Sequence, residues 1–228
     1  LNGSFANINP NQIDWEKALE GADYFHWTGI SPGISESAYI ALKKGLQTAN
    51  EKGIEITADP AYRSNLWKYG KEGFEVLKEL VSYSTIFIGG VNEINEIIGT
   101  KFSSDKESFI EACKEFQKQM PSIKKIFDKV RVGASASTQE TQGRAWANET
   151  YFESEPIEIL QVVDRIGTGD AFAAGLIYGL LNFDDETALK FGNAACAIKH
   201  TVPGDINHCS ASDILDVMNG DKGGRIKR

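Results

Sequence analysis

The stretch VVDRIGTGDAFAAGLIYGLL, Val162 to Leu181, starts apolar and β-branched and ends as a run of small and apolar residues with helical character and few charges. Its join is Gly167-Thr168-Gly169-Asp170. Two glycines there permit a tight turn that leads straight into a helix. The first amides of a helix have no acceptor within it, and the helix dipole favours negative charge beside them, so this join can hold an anion such as a phosphate. Asp170 is the odd element, because a carboxylate repels a phosphate oxygen. It makes chemical sense as a base that takes the proton from a hydroxyl attacking phosphorus, while the amides stabilise the charge on the transferred group. The competing reading is a plain turn with Asp170 as helix N-cap. The familiar phosphate loops are absent: no G-x-x-x-x-G-K-[ST] occurs, and Phe172 takes the third glycine's place in G-x-G-x-x-G. Asp164 could orient the turn, orient a hydrated Mg2+, or form a surface ion pair with Arg165.

Outward from this join, strand-like and helix-like segments alternate. ADYFHWTGI, from Ala22, reads as a strand stopped by Ser31-Pro32-Gly33. Ser35 caps a helix whose Ala38, Leu42 and Leu46 fall at helical spacing and which ends at Gly53. GIEITAD, TIFIGG and IKKIF are further strands, with helices at Gly73 to Val81, Glu93 to Ile98 and Asp105 to Gln119. From Gly143 to Val163 the texture turns to two strand-like runs separated by Asn148-Glu149, a β-excursion. Helices follow at Gly169 to Leu181 and Glu186 to His200. Such alternation implies an α/β domain, a mostly parallel sheet with helices on both faces, because parallel neighbours need crossovers. At about 150 residues per domain, the 228 residues are best taken as a single domain, 1–228.

Composition narrows the function. With 41% hydrophobic and 25% charged residues, the chain is of ordinary globular type. The net charge of −8 has the wrong sign for a nucleic-acid binder, and no run approaches the ~18 apolar residues of a membrane span. Cys113, Cys196 and Cys209 form an odd set without C-x-x-C pairing, so neither a disulfide framework nor a zinc site is supported and a reducing, cytoplasmic setting is expected. His26, His200 and His208 lack metal-ligand spacing. His26, Trp27 and Tyr24 are read as core or pocket wall.

DRIGTGDAFAAG resembles the carboxy-terminal signature of the ribokinase-like (PfkB) carbohydrate kinases, Asp-x-x-Gly-x-Gly-Asp. ADYFHWTGISPGIS and ADPAYRSNLW are similar to segments of the 2-keto-3-deoxygluconate kinases within that family. The resemblance runs from about Phe5 to Asp205. It implies a ribokinase-like three-layer sandwich, with ATP and Mg2+ as cofactors and a small sugar acid as partner. A homo-oligomer would be compatible with it. It casts Asp170 as catalytic base and Gly167, Thr168 and Gly169 as anion hole. Arg63, in a motif beginning at Asp59, would hold the sugar-acid carboxylate or a nucleotide phosphate through its fixed guanidinium fork, unless it is a solvated loop arginine. Asp205 resembles a substrate-side acid and Asn193 a position beside the adenine. A turn aspartate and a helix-face amide are the plain alternatives. Ser135 and Ser137 fall in what resembles the nucleotide-side loop. Glu93 and Asp164 are implied as residues that hold Mg2+ through water, Glu93 otherwise being an exposed helix glutamate.

The chain also departs from the pattern. Ala61 stands where the family has asparagine in Asp-x-Asn-x-Arg, and Gly90 stands at the asparagine of Asn-x-x-Glu. Strands that supply a substrate-side Gly-Gly and a small β-lid correspond to nothing before Leu1, so the amino-terminal lid region is expected to be absent from this sequence. Three functions follow: phosphorylation of 2-keto-3-deoxygluconate on its 6-hydroxyl, a related kinase of a neutral sugar such as ribose or fructose, or a silent nucleotide or sugar-acid binding module.

Overall fold

The structure, a computed structural model, describes residues 3–132 and 139–220. The chain packs as two compact units, Leu1–Ile126 and Phe127–Arg228, where the sequence reading takes 1–228 as one domain.

In the first unit a short helical turn α1 (Trp15–Ala18) precedes strand β1 (Tyr24–Thr28). The expected stop at Ser31-Pro32-Gly33 is instead a five-residue helix, α2 (Ile30–Ile34). Proline suits the first turn of a helix, where its missing N–H is not needed. Ser35 caps α3 (Glu36–Glu51) as expected, its Oγ accepting from the Ala38 N–H at 3.1 Å. Ala38, Ala41, Leu42, Gly45, Leu46 and Ala49 form the buried stripe of α3, at the spacing that places residues on one helix face. Then come β2 (Glu55–Asp59), α4 (Gly73–Val81), β3 (Ile86–Ile88), α5 (Val91–Ile98) and α6 (Lys106–Gln119), close to the expected bounds. β1 pairs with β2 and β2 with β3, both parallel, with Thr28 opposite Asp59. Phe87 and Phe116 meet edge-on at 4.7 Å in the core of this unit, and both are fully buried. His26 and Trp27 are structural, as read: Thr57 lies 2.8 Å from the His26 ring, and the Trp27 N–H donates to Ser84 Oγ at 3.0 Å.

Strand β4 (Lys125–Val132) runs on into the second unit. There it neighbours β5 (Gln139–Ala147), which pairs antiparallel with β6 (Thr150–Glu153) and β7 (Ile157–Ile159). The excursion is therefore a three-stranded antiparallel patch, one strand more than the sequence showed. Asn148 and Glu149, both at left-handed φ of 51° and 58°, form its two-residue turn. Helices α7 (Thr168–Asn182) and α8 (Asp185–Lys199) follow, then α9 (Ala211–Met218), which periodicity did not reveal. α7 and α8 pack through small residues. A side chain on Gly179 would sit 2.6 Å from the Ala188 Cα, and one on Gly175 would sit 2.7 Å from the Ala195 Cβ. Burial of Phe172, Leu176, Leu189 and Phe191 completes the core here.

Candidate functional site

The second unit builds the Gly167 turn from three directions. Gly167 is the N-cap of α7 with φ 73°, a conformation that only glycine adopts without strain, and a Cβ there would lie 2.4 Å from the Asp205 carbonyl oxygen. Asp164 holds the turn from before: its carboxylate accepts the Ile166 N–H at 3.0 Å and the Gly204 N–H at 2.8 Å. These bonds, led by the one from Ile166, hold the Asp164 carboxyl below the usual carboxylate range. Thr168, buried, donates to the Arg165 carbonyl at 3.1 Å. Behind the turn, the His200 carbonyl accepts from Val163 at 2.8 Å and from Asp164 at 3.2 Å. The loop after α8 is thus clasped onto the turn, and Asp205 lies against Gly167.

This geometry sets aside the N-cap reading of Asp170. The cap position belongs to Gly167, and no side chain caps the helix. The Ala171 N–H donates to the Gly167 carbonyl at 2.9 Å, while the amides of Thr168, Gly169 and Asp170 open the helix ahead of it. Asp170 stands at the third helical position, exposed, and among the described residues its carboxylate has no hydrogen bond or ion pair. Gly169 is informative in a different way. A Cβ there would meet nothing within 4 Å, so the chain's own packing does not require glycine. Glycine in a helix costs ~0.5–1 kcal/mol relative to alanine. A bare backbone with no described neighbour within 4 Å leaves room for the close approach of an outside group, and the amides without a side-chain cap fit an anion.

Three other expected residues have structural tasks. Asp164 forms no ion pair with Arg165; it orients the turn with both carboxylate oxygens. Glu93, half-buried, reaches back along α5 to accept the Gly90 N–H at 2.9 Å. The glycine at that N-cap has no side chain of its own with which to cap. Asn193 is 1% exposed, and its amide is spent within the chain. Its Nδ2 donates to the Thr141 carbonyl (3.2 Å), to Ser154 Oγ (3.1 Å) and to the Glu155 carbonyl (3.3 Å), while its Oδ1 accepts from Thr141 Oγ1 at 3.1 Å. Asn193 thus ties α8 to β5 and to the segment after β6. Ser135 and Ser137 lie outside the described residues.

Arg63 belongs to the first unit, beyond the carboxyl end of β2, the side of a parallel sheet where ligands commonly lie. An aromatic knot carries it. The Tyr62 ring lies 4.2 Å from Phe74 and 6.1 Å from Trp67, and Tyr69 donates to the Pro32 carbonyl at 2.6 Å. Burial pushes the Tyr69 hydroxyl up to about 12. Gly73 accommodates the knot, because a Cβ there would meet Trp67 at 2.7 Å. Arg63 itself is exposed and spends one N–H on the Tyr62 carbonyl at 3.0 Å. No carboxylate among the described residues pairs with it, so its fork is available to an anionic ligand. Ala61, at φ 29°, bends the chain here in a region where asparagine is tolerated better than alanine.

Among the described residues no cluster of His, Cys, Asp and Glu is arranged to hold a metal ion. No described helix is long and apolar enough to cross a membrane.

Known proteins share this architecture. A 2-dehydro-3-deoxygalactonokinase from Haloferax volcanii is 28% identical over 90% of this chain, and the match covers 60% of that protein. The crystal structure of a 2-dehydro-3-deoxygluconokinase from Thermotoga maritima has 30% identity and a TM-score of 0.86, covering 94% of this chain and 66% of that one. An E. coli protein described as a ribokinase II, solved with ATP and Mg2+, matches at 21% identity and a TM-score of 0.73, covering 93% of this chain and 63% of that one, a likeness of fold. The chain thus spans about two thirds or less of the length of these relatives, and its fold is the ribokinase-like α/β fold. The pfkB family carbohydrate kinase model matches residues 3–212, and with nearly the whole chain inside that span, the protein belongs to the pfkB family of carbohydrate kinases.

Proposed function

We propose that the protein transfers the γ-phosphoryl group of ATP to the 6-hydroxyl of a sugar acid, 2-keto-3-deoxygluconate. The observation that carries this reading is the uncapped α7 N-terminus. Bare Gly169 and the unpaired Asp170 carboxylate stand side by side there, an anion site with a base at its rim. Asp170 accepts the hydroxyl proton as the hydroxyl oxygen bonds to phosphorus and the bond to the departing ADP oxygen breaks. The amides of Thr168, Gly169 and Asp170 meet the charge that builds on the transferring group. Arg63 binds the acceptor's carboxylate, and Asp205, held beside Gly167, accepts from an acceptor hydroxyl. Mg2+, when bound, would neutralise phosphate charge, and Asp164 beside the turn would hold it through ordered water. Asn193 serves the nucleotide side indirectly, by fixing the strands it ties. The names of the Haloferax and Thermotoga relatives support a sugar acid as acceptor.

The test is Asp170→Asn, followed by ADP release. A fall in kcat of roughly 10²–10⁴-fold with ATP affinity nearly intact is expected. Full turnover by the variant would remove Asp170 from the role.

A further inference from the structure

Lys199 is 0% exposed, at the end of α8. A fully buried ammonium is costly unless it is paired, and among the described residues no carboxylate pairs with it. Its Nζ donates instead to the Val202 carbonyl at 2.9 Å, across the first residues of the loop that follows. That loop is the one clasped to the phosphate turn. Two residues beyond Val202, the Gly204 N–H donates to Asp164, and at the next residue the Asp205 carbonyl packs against Gly167. The Lys199 charge is felt as far as Asp164, where it is a lesser influence behind the Ile166 and Gly204 N–H groups in holding the carboxyl low.

We infer that Lys199 is a positioning residue for the anion site: its buried ammonium pins Val202, and the pinned loop sets Gly204 and Asp205 against the Gly167 turn. The loop is then held at two points by charge-assisted hydrogen bonds, from a cation at Val202 and to an anion at Gly204, which are stronger than neutral ones. Asp205 itself is exposed, and so is every residue from Pro203 to Ile206, so the loop has little burial of its own to keep it in place. This inference rests on the proposed function only for what the turn binds; the pin is a property of the free protein.

Lys199→Met keeps the length and apolar stem of the side chain and removes the donor, whereas Lys199→Gln keeps a neutral donor. Amide hydrogen exchange of the ligand-free protein reads the pin directly. In Lys199→Met the Gly204 and Ile166 amides should exchange roughly ten- to a hundredfold faster, while the Leu189 and Ile214 amides hold within a few-fold, and Lys199→Gln should recover much of the protection. Inorganic phosphate, titrated against the same three proteins, should lose affinity in the same order. Unchanged exchange at Gly204 in Lys199→Met would overturn the inference. So would faster exchange spread evenly over α8, α9 and β5, which would make Lys199 a residue of general stability. If the parent protein binds neither phosphate nor ADP, the proposed function fails while the exchange data still judge the pin.

Discussion

Gly167 and Gly169 are two residues apart and are glycine for different reasons, and substitution separates them. Gly167→Ala forces a Cβ into the Asp205 carbonyl at a left-handed φ. It should cost about 2 kcal/mol or more in denaturant titration, together with phosphate binding. Gly169→Ala meets open space. It should raise stability by roughly 0.5–1 kcal/mol while still weakening phosphate binding roughly tenfold or more. A Gly169→Ala protein that bound phosphate normally would mean that no ligand approaches the backbone there. Glu149, at φ 58° in the β5–β6 turn, occupies a place that suits glycine. Glu149→Gly should raise Tm by about 2–4 °C, read by calorimetry. At this scale the sequence was legible where a residue type is itself the signal, as at Gly167, whose left-handed φ and close approach to Asp205 require glycine. It was silent where the neighbour is distant in the chain: nothing local distinguishes an Asn193 that faces a ligand from one that braces Thr141, Ser154 and Glu155.

At the scale of elements, α8 joins the core to the turn, and His200 at its end makes that join sensitive to acid. The backbone carbonyl of Cys196 can only accept, so the His200 Nδ1 2.8 Å away carries the proton, and buried Nε2 has no hydrogen-bond partner among the described residues. Burial, with Lys129, Arg131 and Arg165 nearby, pushes the imidazole below its ordinary value of 6.5. The unfolded chain therefore takes up the proton first. The stability that His200 contributes is complete above about pH 6.5 and is lost as the pH falls below it. Chemical denaturation between pH 7.5 and 5 should show this loss, and His200→Gln should flatten that part of the curve. Most elements could be read from periodicity and caps, as with Ser35. The exceptions are α2, which contains proline and glycine, together with β7 and α9.

For the molecule as a whole, the candidate site residues divide between the two units, Arg63 and Glu93 in the first and the Gly167 turn with Asp205 in the second. Arg63 can then be tested apart from the turn. Arg63→Ala should weaken binding of 2-keto-3-deoxygluconate by roughly ten- to a hundredfold in calorimetric titration while leaving ADP affinity unchanged. A defect confined to ADP would indicate a neutral sugar as acceptor. The net charge of −8 makes such local positive sites the places where an anion can gain. The distribution of sulfur offers a way to watch one of them. Cys113 and Cys196 are sealed in the core, whereas Cys209 is half-buried, its thiol pushed up by burial and by Asp213. A maleimide dye applied at mildly alkaline pH would thus mark one position, four residues beyond Asp205, turning the native polypeptide into its own fluorescent gauge of that loop.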